Sequence, residues 1–251
     1  MKLLGVRLPM MSSLLVWCLL WEAVGRAELV FLLPPLSAVL ATMGELFATS
    51  KFLEATWITL RSFALGLGFA ILVGVPLGVL MGRVPSADRL LGMWVNVFVS
   101  APLSALVPVL MILFGFGPTT IVVTVFLFAV WIIALDTRAG VQHVPSSLIE
   151  MARSYGAGRA ALYAKVILWA ALPEILAGVR IGVIRGVKGV VIGQILVSIV
   201  GYGALFELYA RNFLMEQFWA LTILAFAFAL VASEAIGALE RRIEYYAGVR
   251  Q

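Results

Sequence analysis

Residues 150–173 read EMARSYGAGRAALYAKVILWAALP, a polar and basic stretch set between long apolar runs. Its pattern predicts two short helical pieces, Ser146–Tyr155 and Arg159–Trp169, broken at Gly156 and Gly158. Gly156 is expected to adopt a backbone conformation that other residues resist, which lets the two pieces turn. The rest of the chain is compatible with hydrocarbon, so a structured polar loop of this length needs a purpose. A helix–Gly–helix elbow supplies one: a rigid knob that another protein can grip.

Hydrophobic residues make up 63% of the 251 and charged residues only 12%, with mean hydropathy +1.09. A soluble domain of this length cannot hide so much apolar surface, so the chain reads as an all-α integral membrane protein. No Pro/Ser-rich or acidic linker divides it, and a single domain over 1–251 is expected. The net charge of +5 would suggest nucleic acid in a soluble protein. Here the Lys and Arg residues fall in loops and at helix ends, where they set topology instead, and no nucleic-acid partner is expected. Cys18 is the one cysteine and lies in the first apolar run, so one chain can build neither a disulfide nor a thiolate metal site. His143, the only histidine, argues against a His-based zinc or haem site and reads as a loop residue.

A helix needs roughly 20 apolar residues to cross the hydrocarbon. Six stretches qualify: Leu8–Val24, Trp57–Met81, Leu90–Phe114, Thr119–Leu135, Leu172–Val200 and Phe218–Leu239. The N-terminus resembles a signal peptide, with Lys2 and Arg7, an apolar run and Ala23-Val24-Gly25, but the run is long for a signal core and is read as the first helix. With the N-terminus inside, the inner side carries Lys2, Arg7, Arg83, Arg89, Arg138, Arg153, Arg159, Lys165, Arg241, Arg242 and Arg250. The outer side carries Arg26, Lys51 and Arg211, with Arg61 near the outer end of the second helix. This bias predicts that both termini and the Glu150 elbow are cytoplasmic. Outside, Leu33-Pro34-Pro35 precedes an amphipathic run from Ser37 to Phe47, which predicts a short surface helix that Ser37 can cap.

The second helix carries Gly66, Ala70, Gly74, Gly78 and Gly82 at four-residue spacing. The fifth carries Gly178, Gly182, Gly186, Gly189 and Gly193, which fall within a stripe of roughly 80°. Such stripes let helix backbones approach closely in lipid; the alternative reading is a hinge or a groove that accommodates substrate. Pro76, Pro102 and Pro108 are each expected to kink their helix. Arg180, Arg185 and Lys188 sit inside the fifth apolar stretch. Charges there must face protein or a cavity, and Arg185 and Lys188, three apart, share a face. They either snorkel, pair with Asp136 or a lipid headgroup, or make a pathway electropositive for an anion.

No GxxxxGK[ST] loop is present, and Gly115-Phe116-Gly117 is too short to cradle phosphate. No Ser/His/Asp set and no carboxylate cluster for two-metal chemistry can form. The chain therefore reads as a non-enzyme. Energy for uphill movement must come from an ion gradient or from another subunit.

Glu150, Met151, Ala152 and Gly156 resemble the "EAA" loop of ABC-importer permeases, with Val166 and Leu168 at its later apolar positions. The family's usual proline falls at Trp169, a departure, while Leu172-Pro173 keeps a second one. The likeness extends to Leu33-Pro34-Pro35-Leu36-Ser37-Ala38-Val39, to Pro102, Pro108 and Phe114-Gly115-Phe116-Gly117, to Ile175–Arg180, to Tyr209-Ala210-Arg211-Asn212-Phe213 and to Leu239-Glu240-Arg241-Arg242. The chain thus resembles a type I, binding-protein-dependent permease of the nitrate/sulfonate/taurine branch. Asp136 stands where that branch often has Asn, Gln194 where it has Glu, and Lys188 where an apolar residue is usual.

The resemblance implies six transmembrane helices, a short external helix and a cytoplasmic coupling helix within a loop at about 138–170. It implies a homodimer in the bacterial inner membrane, two ABC ATPase subunits that hold the ATP and Mg, an external solute-binding protein, and no cofactor in this chain. The expected ATPase-coupling residues are Glu150, Met151, Ala152, Ser154, Tyr155, Gly156, Ala157 and Arg159. Ser100, Ser104, Arg185, Lys188 and Gln194 are the candidate pathway residues; none is catalytic or metal-binding. The expected cargo is a small anion of the sulfonate, taurine, nitrate or bicarbonate class. A neutral or heterocyclic nutrient such as a pyrimidine vitamin precursor is the alternative. An ion-coupled secondary transporter and a non-transporting scaffold subunit are the rival classes; the first calls for a mid-membrane ionisable relay and inverted repeats, and no convincing repeat is seen.

Overall fold

The computed structural model describes the backbone of residues 2–3, 6–7, 10–197 and 199–247, with side chains at 13–197, 199–238 and 241–242. Leu8, Arg250 and the side chains of Lys2, Arg7, Leu239 and Glu240 lie outside the described residues. Apart from a two-residue antiparallel pairing of Lys2–Leu3 with Val6–Arg7, the regular structure of the described residues is helical.

The helices are α1 (Met10–Arg26), α2 (Leu36–Leu46), α3 (Ser50–Arg83), α4 (Pro85–Ser100), α5 (Val107–Phe114), α6 (Pro118–His143), α7 (Ser146–Ser154), α8 (Arg159–Leu162), α9 (Leu168–Ala170), α10 (Leu172–Val197), α11 (Gly201–Arg211) and α12 (Met215–Ala247). His143, expected in a loop, closes the last turn of α6.

Helices α3, α6 and α12 are each long and apolar enough to cross a membrane, and each contains one of the expected spans. Two further spans are bent pairs, α4 with Leu103–Phe114 at 93° and Arg159–Ala170 with α10 at 64°. The expected unbroken third span, Leu90–Phe114, is therefore corrected to two helices. Pro102 is the cause. It drives the preceding Ala101 into an extended conformation (φ −69°, ψ 146°), which ends α4, and the chain restarts as a 3₁₀ turn at Leu103–Leu106. Pro108 does not kink a helix but sits in the first turn of α5, where its missing N–H costs nothing. Pro76 is accommodated inside the continuous α3. Helix α1 has 17 residues, about 26 Å at 1.5 Å per residue, against roughly 30 Å of hydrocarbon.

Helix α6 is the centre of the fold. The α3 stripe packs on one of its faces, where a Cβ at Gly66, Gly74, Gly78 or Gly82 would meet Val122–Val125, Val130–Ile133, Ala134–Thr137 or Val141. The α10 stripe packs on another, with Gly178 against Asp136, Gly182 against Ile133, Gly189 against Phe128 and Gly193 against Thr124. Both stripes thus serve packing within one subunit. Between them lie Phe63, Ile121, Val125, Val183, Val187 and Val190, all buried.

Helix α2 buries Val39, Thr42 and Leu46 in an apolar cluster with Phe52, Tyr202, Leu205, Tyr209 and Leu221. Its N-cap is Pro35, not Ser37, and no capping side chain comes from its own turn. The carboxylate of Glu22 on α1 takes that role. It accepts from the Ser37 N–H at 2.9 Å and the Ser37 hydroxyl at 2.8 Å, while Arg26 Nε lies 2.5 Å away. Gly25 lets Pro34 and Pro35 close over α1, and Trp21 Nε1 donates to Pro34 O at 3.0 Å. Glu22→Ala leaves the Ser37 N–H in the first turn of α2 without its acceptor, so amide exchange over 36–46 should accelerate while exchange in α6 stays unchanged. Unaltered protection of 36–46 would refute this capping role.

Candidate coupling elbow and translocation site

The elbow is built from its ends inward. Helix α7 stops at Gly156, which takes φ +79°. The Gly156 N–H donates to Arg153 O at 2.9 Å and the Ala157 N–H to Ala152 O at 3.0 Å. These two bonds form a Schellman close, and Ala152 and Ala157, the pair such closes bring together, belong to one apolar cluster. Gly158 then starts α8 in extended conformation. Ala152, Leu162, Ile167, Ala171 and Ile175 are buried with Val141 and Val144, so the elbow carries its own apolar core and is anchored to α6 and α10. One feature was not legible in sequence. Tyr163–Ile167 forms a π turn, which absorbs an extra residue before α9. Pro173 then opens α10 at the 64° bend.

Of the expected coupling residues, Ala152 is buried and Ala157 half-buried, so these two hold the knob together. Glu150, Met151, Ser154, Tyr155, Gly156 and Arg159 are exposed, and Tyr155 is 86% exposed. Ser154 donates to Met151 O at 2.7 Å. The outer surface therefore presents a carboxylate, a thioether and an aromatic ring beside Arg153 and Arg159. Asp88 and Arg138 brace the same end of the bundle. Arg138 Nη2 donates to Asp88 Oδ2 at 2.7 Å and Nε lies 2.6 Å from Oδ1, tying α4 to α6. Sequence reasoning used Arg138 only as an orientation charge, since a partner 50 residues away has no local signal.

The five pathway candidates do not form one cluster. Ser100 and Ser104 are exposed at the α4–α5 break. Arg185 points to the same break, with Nη1 3.4 Å from Val99 O, and lies within Coulombic reach of Asp136. Asp136 itself has a buried Oδ2 without a hydrogen-bond partner and packs against Gly178. Lys188 turns elsewhere, into a cavity of about 770 Å³ between α10, α11 and α12. The shared face expected for Arg185 and Lys188 is thus divided, because two side chains about 60° apart on a helix reach different polar surroundings. Arg180 sits on neither face and pairs with Glu234 of α12 at 3.5 Å.

Gln194 is 1% exposed and faces Thr59 rather than open space. Its Nε2 donates to Thr59 Oγ1 at 2.9 Å, and Thr59 Oγ1 lies 3.2 Å from Gln194 Oε1. Gly201 and Gly203 close directly onto it. Gln194 fastens α10 to α3 and to the start of α11. The cavity walls include residues that the sequence did not single out: Phe206, Glu207, Phe218, Trp219, Thr222 and Phe226. Glu207 is paired with Arg211 at 2.5 Å.

A family model described as "Binding-protein-dependent transport system inner membrane component" matches residues 74–245, which include α6, the elbow and α10. The chain belongs to this family. The permease is 30% identical over 248 residues to the taurine transport system permease protein TauC of Escherichia coli (strain K12), covering 94% of this chain and 89% of that protein. It is 27% identical over 252 residues to the bicarbonate transport system permease protein CmpB of Synechocystis sp. (strain ATCC 27184 / PCC 6803 / Kazusa), covering 95% of this chain and 89% of that protein. Its fold is similar to a structure of the MetNI methionine ABC transporter in an inward-facing conformation, with a TM-score of 0.66 at 22% identity over 77% of this chain and 96% of that chain. The permease is a multi-pass membrane component of an ABC importer and works with an ATPase and a binding protein. It has no catalytic activity or cofactor of its own, and ATP is hydrolysed by the separate subunit.

Proposed function

We propose that this single-domain permease acts as a homodimer in the bacterial inner membrane, with α1 as a sixth span and both termini cytoplasmic. An external binding protein delivers a small anion, and two ATPase subunits grip the elbows. ATP binding draws the elbows together and tilts the bundle, so that the pathway opens outward; hydrolysis resets it. Such a switch is an equilibrium biased by differential binding. The observation that carries this reading is the elbow itself. Its inner face is welded to α6 and α10, so force applied to its exposed outer face moves the central helices as a body.

Lys188 supports an anionic cargo of the sulfonate, taurine, nitrate or bicarbonate class. It is an exposed cation in a largely apolar cavity, where a charge-assisted contact is worth more than in water. Glu207, which lines the same cavity, favours a cargo that also carries a cationic group, as a taurine-like sulfonate does.

The test is transport by the reconstituted complex with its binding protein, using labelled taurine and labelled bicarbonate. Lys188→Met should lower uptake of the cognate anion by about tenfold or more, the scale of one charged hydrogen bond. Dimer and ATPase assembly should be unchanged. Unchanged uptake kinetics would reject the role of Lys188, and a neutral or heterocyclic cargo identified on the binding protein would reject the anion class.

A further inference from the structure

At the end of α6 opposite the elbow, α3 and α6 enclose a groove of about 430 Å³ that no part of the proposed transport cycle uses. Its polar lining is Arg61, Ser62 and Thr119, and its apolar walls include Trp57, Leu65 and Pro118. We propose that this groove is an oxyanion site, one per subunit, that holds the phosphate of a phospholipid headgroup or a free tetrahedral oxyanion.

Three independent features converge there. The first is an uncompensated cation. Arg26 and Arg211, the other two arginines at this end of the bundle, each have a carboxylate within ion-pair distance. Among the described residues no carboxylate pairs with Arg61. Arg61 lies four residues inside the apolar stretch that begins at Trp57, about 6 Å along the helix. At that depth the exposed guanidinium reaches the interface, where an anionic group is its natural counter-charge.

The second feature is Ser62. It is 2% exposed and lines the groove, and its hydroxyl has no hydrogen-bond partner among the described residues. The neighbouring hydroxyls of Thr56, Thr59, Thr120 and Thr124 all donate to a backbone carbonyl. A hydroxyl that opens onto the groove beside Arg61, with no partner among the described residues, is a donor available to an acceptor there.

The third is the N-terminus of the 26-residue α6. Gly117 gives it no side-chain cap, Pro118 has no N–H, and the exposed Thr119 stands in the first turn. The positive end of the helix dipole therefore faces the groove without a carboxylate of its own. A planar guanidinium, two hydroxyls and a helix N-terminus suit two or three oxygens of one tetrahedral anion. Trp57, 66% exposed, and Leu65, 45% exposed, offer a wall to the glycerol and upper acyl carbons of a lipid.

The test uses the intact permease–ATPase complex. Native mass spectrometry reports retained phosphatidylglycerol, and equilibrium dialysis with labelled sulfate reports free oxyanion. The assembled mass in the same spectra verifies folding. Arg61→Gln should weaken binding of at least one probe by about tenfold or more, with Ser62→Ala in between. Lys51→Gln, which removes an exposed cation at the same end but outside the groove, should bind as the parent does. Loss confined to phosphatidylglycerol assigns a lipid headgroup, and loss confined to sulfate assigns a soluble oxyanion. Parent-like binding of both probes by Arg61→Gln and Ser62→Ala overturns the proposal. So does an equal loss in Lys51→Gln, which would mark diffuse surface charge.

Discussion

Gly78→Leu is expected to leave no correctly folded permease in the membrane, while Gly68→Leu, ten residues earlier on the same helix, accumulates normally. The contrast follows from what a side chain would meet. At Gly78 a Cβ would stand 2.5 Å from the backbone oxygen of Ala134 and 2.5 Å from Thr137 Cβ. At Gly68 nothing lies within 4 Å. Ordinary contact begins near 3.4 Å, so α3 must retreat from α6 by about 1 Å for the first carbon alone and further for the rest of leucine. The retreat cannot stay local. Gly74 and Gly82 approach α6 at the adjoining turns, and α10 holds the opposite side of α6 through Gly178, Gly182 and Gly189. Overpacking in a dense core costs about 1–3 kcal/mol for a few extra methylenes. Here the obstacle is partly backbone, which has no rotamer to change. Backbones in lipid are held by close packing rather than by hydrophobic exclusion, so lost contact between α3 and α6 has no substitute. The measurement is the yield of monodisperse protein after detergent extraction, with its thermal midpoint. Equal yields of the two variants would show that the glycine stripe is not what joins these helices.

What the sequence made legible follows the range of the interactions. Helices α3, α6 and α12 were readable because a long apolar run admits few alternatives in lipid. The elbow was readable because a helix stop at glycine is local, and Gly156 takes the expected positive φ. The glycine stripes were readable as packing faces, although not their common partner: that both address α6 depends on helix order in space. Non-local features stayed hidden. Ser37 was expected to cap α2, but the acceptor comes from Glu22, fifteen residues earlier on a different helix. Pro102 announced a kink, yet a 93° turn with an intervening 3₁₀ segment requires surroundings that accept it. The π turn at Tyr163–Ile167 has no compositional mark.

The candidate pathway shows the same boundary more sharply. Residue type and depth identified Arg185 and Lys188 as charges that need a reason, and the family resemblance singled out Gln194. Direction along the helix face then separates them. Arg185 goes to the α4–α5 break, Lys188 to the cavity, and Gln194 to a buried bond with Thr59. Angular position alone could not decide this, since long side chains follow the nearest polar group and not their Cα vector. Glu207 escaped notice because it is an ordinary i,i+4 partner of Arg211 when read on the helix alone.

The elbow carries the second large expected effect. Gly156→Leu should reduce ATP-driven uptake by about tenfold or more, with the permease folded and present in the membrane, and Gly156→Asn should retain most of it. Gly156 sits at φ +79°, and a Cβ added there would meet nothing within 4 Å, so volume is not the issue. The cost is in the backbone: a non-glycine residue in the left-handed region loses about 1–2 kcal/mol, less for Asn. That is enough to unwind a single-turn Schellman close held by two hydrogen bonds, but not a bundle packed on α6. The outer face of α7 would then lose its fixed angle to α8, and the grip of the ATPase would no longer turn into helix motion. Glu150→Lys tests the same contact by charge. Glu150 is exposed and pairs with no cation among the described residues, so reversal leaves the fold intact and removes a carboxylate from a surface already bearing Arg153 and Arg159. Both variants should show weaker stimulation of ATPase activity by loaded binding protein. Normal stimulation with normal uptake in both would mean that force enters the permease elsewhere. A fall in uptake matched by Gly156→Asn would mean that side-chain space, rather than backbone conformation, sets the requirement at this position.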